Sequence, residues 1–301
     1  MIIKDKDFNL IKIYDLICYY FDELRYYCER FSNNNSPCFT DQEVMTIYLF
    51  GVQYQEYTKI NQIHKFACDY LSDWFPNLGS YQAFCNRLNR LGGAFTRLSE
   101  LLLEDTQPND CIIDQCLLDS MPIITCSGKR KGKVANEVTN KGYCSTKGVY
   151  YYGMKLHMLG IRRQDALPFP EQVLFTPASV NDIVVYKERW SEMRNRTFFE
   201  DKIYMHNEFN QQVKNQYNSE MLTPIKAIKG MPLIIKQRIK AADDLYNRAV
   251  SKIRQPIEAM FSWLIEKTDI QRASKVRSTK GLMVHAFGKL TATFLNYVLN
   301  S

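Results

Sequence analysis

The sequence predicts a mixed α/β domain preceded by an all-helical region. Three observations carry this. Up to about residue 105, apolar residues recur at three- and four-residue spacing, the period of an amphipathic helix. The run "QPND" at 107–110 then punctuates the chain. Beyond it, short apolar runs of strand length alternate with helical stretches. The expected boundaries are a helical region over 1–106 and an α/β domain over 107–301.

In the first region, "FNLIKIYDLICYYFDELRYYCERF" (8–31) reads as an amphipathic helix, broken by "NNNSP" at 33–37. "TDQEVMTIYLFGVQYQ" follows, with Thr40 or Asp41 placed to cap a second helix. Further helical patterns cover 59–73 and 80–104, separated by "FPNLGS". In the second region, "CIIDQCLLDSMPII", "VYYYGMKLHMLGIRR" and "EQVLFTPAS" read as strands. "VNDIVVYKERWSEMRN" reads as a helix with Asn181 or Asp182 near its start. "TFFEDKIY" reads as a strand, "NEFNQQVKNQYN" as a helix and "EMLTPIK" as a strand. The stretch "DDLYNRAVSKIRQPIEAMFSWLIEK" is helical, with a break expected near Pro256, because proline lacks the N–H a helix interior needs. "GLMVHAFGKLTATFLNYVL" closes the chain as an apolar helix. There is no internal repeat.

Composition narrows the function. The apolar content is 46%, enough for a sizeable core, and no run of eighteen apolar residues marks a membrane span. The N-terminus mixes both charge signs and has no apolar signal core, so a cytosolic location is expected. Nine cysteines without a Cys-x-x-Cys pair suit reduced thiols, and four scattered histidines argue against a structural zinc site. Net charge is +7, unevenly spread: residues 1–118 carry 10 Lys/Arg against 16 Asp/Glu, and residues 202–301 carry 16 against 7. The basic surplus in the later part suits an anionic partner there, nucleic acid first, and equally a charge that only aids solubility.

Two acids sit in the first apolar strand, Asp114 and Asp119. A buried carboxylate is costly unless paired, hydrogen-bonded or metal-bound. Side chains alternate along a strand, so these two face opposite ways, and Asp114 lies near the strand start. Phosphodiester chemistry with two divalent ions needs several acidic ligands from different elements. Asp119, Asp201 at the end of "TFFED", and Glu258 in "IRQPIEAMFSWL" are placed for this. Glu200 would point away from Asp201, and Arg254 stands one turn before Glu258, where it can steady it. Position alone does not decide the matter, since acids at strand ends are commonly turn residues and helical glutamates commonly solvated.

Taken together, these segments resemble the DDE transposases of bacterial insertion sequences. "LLDSMPI" is similar to the family's first-strand motif and "YGMKLHML" to its Gly-x-Lys-Leu-His strand. "FTPASVNDI" is similar to its Thr-Pro-Ala-x-x-x-Asp segment, "FEDKIY" to the second aspartate with trailing Lys and Tyr, and "IRQPIEAMFSWL" to the glutamate helix. The N-terminal "TDQEVMTIYLFG" and "FPNLGSYQAFCNRLNRL" also match segments common in these transposases, so the likeness spans about 38–296. The order is more specific than any single motif: 82 residues separate Asp119 from Asp201, and 57 separate Asp201 from Glu258. The broad insertion-sequence-four-like set, and within it the nine-hundred-eighty-two group, is the nearest likeness.

The resemblance implies an RNase H-like core, a mixed five-stranded sheet flanked by helices. It implies Asp119, Asp201 and Glu258 as catalytic metal ligands for two Mg2+ ions, with Mn2+ able to substitute. It further implies cleavage and strand transfer on double-stranded DNA, at terminal inverted repeats and target, by a homodimer in the synaptic complex, in a nucleoid-associated bacterial protein. Two alternatives share the motifs: an RNase H-like endonuclease that does not join strands, and an inactive DNA-binding remnant. One departure exists. The set's signature has Tyr, Arg, Glu and Lys at fixed spacing; Arg254 and Glu258 fit, but Ser251 and Ile265 occupy the Tyr and Lys slots. Lys267 comes two residues late and, at 100° per residue, faces away from Glu258, so no DNA contact is carried over to it.

Basic residues complete the expected site. "GKRKGK" (128–133) is a glycine-spaced loop offering Lys129, Arg130 and Lys131 to phosphates, and it lacks P-loop spacing. "RASKVRSTKG" (272–281) offers Arg272, Lys275 and Arg277. Lys155 and Arg254 are also expected on the DNA surface. His157 shares a strand face with Lys155 and reads as a packed or hydrogen-bonded residue, since two-metal chemistry needs no histidine.

Overall fold

The computed structural model describes residues 2–29, 37–204, 206–225 and 230–299. The expected break at 33–37 lies outside them except for Pro37. Helix α1 (Ile2–Leu24) ends in a short 3-10 turn, Arg25–Tyr27. Helix α2 (Asp41–Gln53) begins at Thr40, whose hydroxyl accepts the Glu43 N–H while the Glu43 carboxylate accepts the Thr40 N–H. This capping box satisfies two of the helix's orphan donors. Helices α3 (Ile60–Tyr70), α4 (Tyr81–Leu88) and α5 (Gly92–Asp105) follow. The single pattern expected over 80–104 is therefore two helices.

The sheet is built from β1 (Cys111–Ser127), β2 (Asn140–Cys144), β3 (Val149–Arg163), β4 (Phe169–Pro177), β5 (Thr197–Phe199) and β6 (Glu220–Leu222). Its order is β2-β3-β1-β5-β6, with β4 also on β3. Strand β2 pairs with Val149–Gly153 and β4 with Met154–Ile161, so the two share one edge of β3 and the sheet is five strands wide. The β1–β3 pairing is antiparallel; β1–β5 and β5–β6 are parallel. This is the mixed sheet the motifs predicted, with β2 added.

Helix α6 (Asp182–Val185) continues as a π-turn over Tyr186–Trp190, and α7 (Asn207–Tyr217) links β5 to β6. Helix α8 (Leu233–Thr268) runs 36 residues straight through Pro256, where a break was expected. Lys252, the residue one turn before Pro256, is exposed, so water can satisfy the carbonyl that the proline cannot. Helix α9 (Thr279–Met283), a π-turn (Val284–Gly288) and α10 (Lys289–Leu299) close the fold. Among the described residues, no helix is long and apolar enough to cross a membrane.

Strand alternation sorts the core. Leu117, Met121 and Ile123 of β1, with Leu156 and Met158 of β3, face Ile257, Met260 and Phe261 of α8 in one large core. That core continues into the helical region through Val44, Phe84, Phe95, Leu290 and Phe294. Cys116, Leu118 and Leu159 face the other way, into a second core with Tyr186, Trp190, Phe198 and Tyr204. Asp119 falls on the first face and Ser120 on the second.

Candidate active site

Asp119 stands in mid-strand on β1, opposite Met158, two residues past the end of the β1–β5 pairing at Leu117. Its Oδ1 accepts the Ser120 N–H at 2.8 Å. Its Oδ2 lies 3.4 Å from Arg254 Nη1 of α8. Arg254 Nη2 also donates to Glu258 Oε1 one turn on. The i,i+4 spacing sets Arg254 and Glu258 on one face of α8, and the buried Ile257 and Leu264 press that helix onto the sheet. One guanidinium thus bridges two carboxylates that are 139 residues apart in sequence.

The local electrostatics are strained in one direction. Burial pushes the Asp119 carboxyl up to about 6, against the lowering pull of Arg254 and the Ser120 N–H and with a further push from Asp182 and Glu258. Glu200, directly after β5, is wholly buried, and neither of its carboxylate oxygens has a protein hydrogen-bond partner. Burial raises its carboxyl well above the usual range, reinforced by Asp119 and Asp182. Asp201 is exposed, and its Oδ1 accepts the Lys202 N–H at 2.6 Å. The buried Tyr204 hydroxyl is raised by burial and then by the negative charge of Glu200, Asp182, Asp119 and Asp201. Among the described residues, no three Asp, Glu, His or Cys side chains are gathered closely enough, as they stand, to hold a metal ion. The donor chemistry nonetheless suits a hard cation: the groups are carboxylates, two already share one positive charge, and Glu258 and Asp201 are exposed and able to turn.

Behind Asp119, on the second face, Ser120 Oγ donates to Asp182 Oδ1 at 2.9 Å. Lys155 Nζ reaches the same oxygen at 3.0 Å and the Val180 carbonyl at 2.9 Å. The sequence offered Lys155 to DNA; in the fold its ammonium is engaged with Asp182. His157 is 1% exposed, with Nδ1 3.4 Å from Asp182 Oδ1 and Nε2 2.8 Å from Thr176 Oγ1. Burial lowers its imidazole to about 4 despite Asp182, so it is neutral. Helical spacing had suggested Asp182 only as a residue near a helix start. Its bond to Ser120 and the burial of Glu200 are tertiary facts with no local signal, although Asp182 does close the Thr-Pro-Ala-x-x-x-Asp segment.

The remaining basic residues cluster at the far end of β1. Lys129, Arg130 and Lys131 are exposed in the loop after Ser127. Arg272, Lys275 and Arg277 are exposed in the segment after α8. That segment is stitched to β1: Ile124 N–H donates to the Gln271 carbonyl at 2.8 Å, and Ala273 N–H to the Ile124 carbonyl at 2.9 Å. Thr279 Oγ1 donates to Glu137 Oε2 at 2.7 Å, tying it to the other loop. Two basic stretches 140 residues apart thereby flank one strand end. Lys267, the displaced lysine, pairs with Glu56 at 2.5 Å.

A five-wide mixed sheet with a strand-borne aspartate, a helix-borne glutamate and helices on both faces defines an RNase H-like DDE domain. The family model described as "Transposase DDE domain" matches residues 112–295, more than half of the chain. The chain belongs to the DDE transposase family. No curated protein and no solved structure matches it.

Proposed function

We propose that this protein cleaves and transfers DNA strands of an insertion sequence, with Asp119, Asp201 and Glu258 as the ligands of two Mg2+ ions that Mn2+ can replace. The observation that carries the reading is the bridging of Asp119 and Glu258 by Arg254: two acids from a strand and a distant helix already converge on one cation. Asp201 follows the strand that runs parallel to β1 and joins the same field of negative charge. When bound, the ions supply activation of the attacking oxygen and stabilisation of the leaving oxygen of a phosphodiester. Asp119 offers a ligand fixed on a rigid strand. Glu258 and Asp201 offer ligands on exposed chain that can adjust, and Arg254, relieved of two carboxylates, is free to meet phosphate.

The DNA partner is assigned to the surface formed by Lys129, Arg130 and Lys131 with Arg272, Lys275 and Arg277, which at strand rise begins about 17 Å along β1 from Asp119, beside Ile124, and reaches the strand end at Ser127, about 26 Å away. Such backbone contacts position the duplex without reading its sequence. A homodimer on paired element ends follows from the need to join two ends. The test uses the full chain with duplexes carrying the element's terminal repeats and a target plasmid, in Mg2+. Wild type is expected to nick the ends and join them to the plasmid. Asp119→Asn, Asp201→Asn and Glu258→Gln are each expected to bind the duplex and cut nothing. Cut ends that never join would leave the nuclease reading in its place, and full cleavage by any of the three variants would remove that residue from the site.

A further inference from the structure

We propose that Asp182 is a positioning residue for Asp119, acting through Ser120, with Lys155 and His157 holding Asp182 in place. This rests on the assignment of Asp119 as a metal ligand. The geometry is a relay through the sheet. Asp182, at the first turn of α6, accepts on one oxygen from Ser120 Oγ at 2.9 Å and Lys155 Nζ at 3.0 Å, and His157 Nδ1 stands 3.4 Å from the same oxygen. Ser120 and His157 are direct cross-strand partners, and Lys155 lies opposite Pro122 on the same face, so all three side chains project from adjacent strands toward one point. Ser120 in turn gives its backbone N–H to Asp119 Oδ1 at 2.8 Å. Its side chain is anchored on one face of the sheet while its amide orients the carboxylate on the other.

Each support is itself secured. Lys155 also bonds the Val180 carbonyl at 2.9 Å, which fixes the turn that leads into α6. His157 Nε2 meets Thr176 Oγ1 at 2.8 Å, which fixes its ring against β4. The ring thus lies between Asp182 and Thr176, whose hydroxyl donates to the Pro177 carbonyl at 3.3 Å. Lys155 and Asp182 are both largely buried, 15% and 17% exposed, so they form a charge-balanced pair rather than a surface contact. The Gly-x-Lys-Leu-His strand and the Thr-Pro-Ala-x-x-x-Asp segment are thus two halves of one clamp. The function of that clamp is to hold one carboxylate oxygen still while Arg254 occupies the other. Partners that orient metal ligands in this way commonly control affinity by 10–100-fold.

The experiment measures Mn2+ binding to the full chain without DNA, by the electron paramagnetic resonance signal of free Mn2+, alongside thermal unfolding and DNA affinity. Asp119→Asn, Ser120→Ala, Asp182→Asn and Lys155→Met are compared with wild type. The expected result is a 10–100-fold loss of Mn2+ affinity in Asp182→Asn and a comparable loss in Ser120→Ala, with cooperative unfolding and DNA affinity retained. Asp119→Asn should lose the site. If Asp119→Asn binds Mn2+ like wild type, the underlying ligand assignment fails. If Asp119→Asn loses Mn2+ while Asp182→Asn and Ser120→Ala keep it, the ligand assignment stands and the clamp is refuted. If Asp182→Asn abolishes binding while Ser120→Ala leaves it intact, Asp182 is a ligand in its own right, and the positioning role is again refuted. Should Lys155→Met fail to fold, the Asp182 and Ser120 variants still decide.

Discussion

Replacing Asp119 by Asn should make the metal-free protein more stable while removing its proposed catalysis. The Asp119 carboxyl is pushed from an ordinary 3.8 to about 6, chiefly by burial, with the attraction of Arg254 already included. An acid whose folded value is raised costs stability once it must ionise. The cost is absent below pH 3.8, where both folded and unfolded chains are protonated; it grows between 3.8 and 6 and is complete above 6. At about 1.4 kcal/mol per pH unit it reaches about 3 kcal/mol at neutral pH. The side chain is 28% exposed, so solvent is partly excluded and this figure is an upper value. Asparagine keeps the shape and the acceptor for the Ser120 N–H but cannot ionise. Urea unfolding in EDTA at pH 7.5 should therefore show Asp119→Asn more stable than wild type by up to about 3 kcal/mol, and the gap should close near pH 3.5. Adding Mn2+ at a hundred times its dissociation constant should nearly close the gap, by about 2.7 kcal/mol, and at a thousand times, by about 4.1 kcal/mol, should reverse the order. A wild type that is equally or more stable at pH 7.5 in EDTA would refute the claim that this carboxylate is held at a cost.

Two further outcomes follow from buried histidine and surface charge. Burial and then Lys289 lower the His285 imidazole to about 3, with Nε2 on the Ile270 carbonyl at 2.8 Å. A base lowered on folding contributes stability that is complete above 6.5 and lost as pH falls toward 3. Between pH 7 and 4.5, wild type should therefore lose about 3 kcal/mol more than His285→Gln in denaturant titrations, and equal losses would contradict the buried neutral ring. On DNA, affinity should fall steeply with salt, and Arg130→Ala or Arg272→Ala should each flatten the log–log slope by about 0.9; an unchanged slope would take that residue off the DNA surface.

Much of the candidate site was legible because it is carried by local patterns. "CLLDS" alternates so that Leu117 and Asp119 share a face, while the choice of Asp119 over Asp114 also drew on Asp114's place near the strand start and on the order of the three motifs; β1 in fact carries a register shift between Ile112 and Cys116, around Asp114. Arg254 beside Glu258 was legible from helical spacing. What escaped was set by tertiary contact. Strand β2, "NKGYC", has no apolar alternation; it is a strand because it completes the β3 edge, with Gly142 close against the Ala178 backbone. The 80–104 pattern continues in helical phase across residues 89–91, yet the chain turns there. Gly92 and Gly93 then bring α5 against Met283 and the Tyr27 carbonyl, an approach that a side chain would block. The first half of α8 buries almost nothing, and Leu233, Ile234 and Leu245 are exposed, so periodicity could not locate its start. The clamp on Asp182 joins residues 62 positions apart and has no local signature.

The acids differ in how firmly each is held, and the difference has a mechanical meaning. Asp119 sits in the middle of a strand paired through thirteen positions with β3, its carboxylate gripped by Ser120 on one oxygen and Arg254 on the other. Glu258 is 53% exposed on a helix, and Asp201 is exposed past the end of a three-residue strand. If the three acids serve as the proposed ligands, one fixed and two adjustable members let the site keep its origin while closing only on its substrate. The rigid member belongs on the most heavily paired strand, because any slip there would move Asp119, Ser120 and the Lys155–His157 pair together. The adjustable members belong where turning costs little, and the exposed side chains of Glu258 and Asp201 meet that requirement. Glu200 marks the limit of this arrangement: a wholly buried carboxyl with no protein hydrogen-bond partner, raised well above its usual range by burial and then by Asp119 and Asp182.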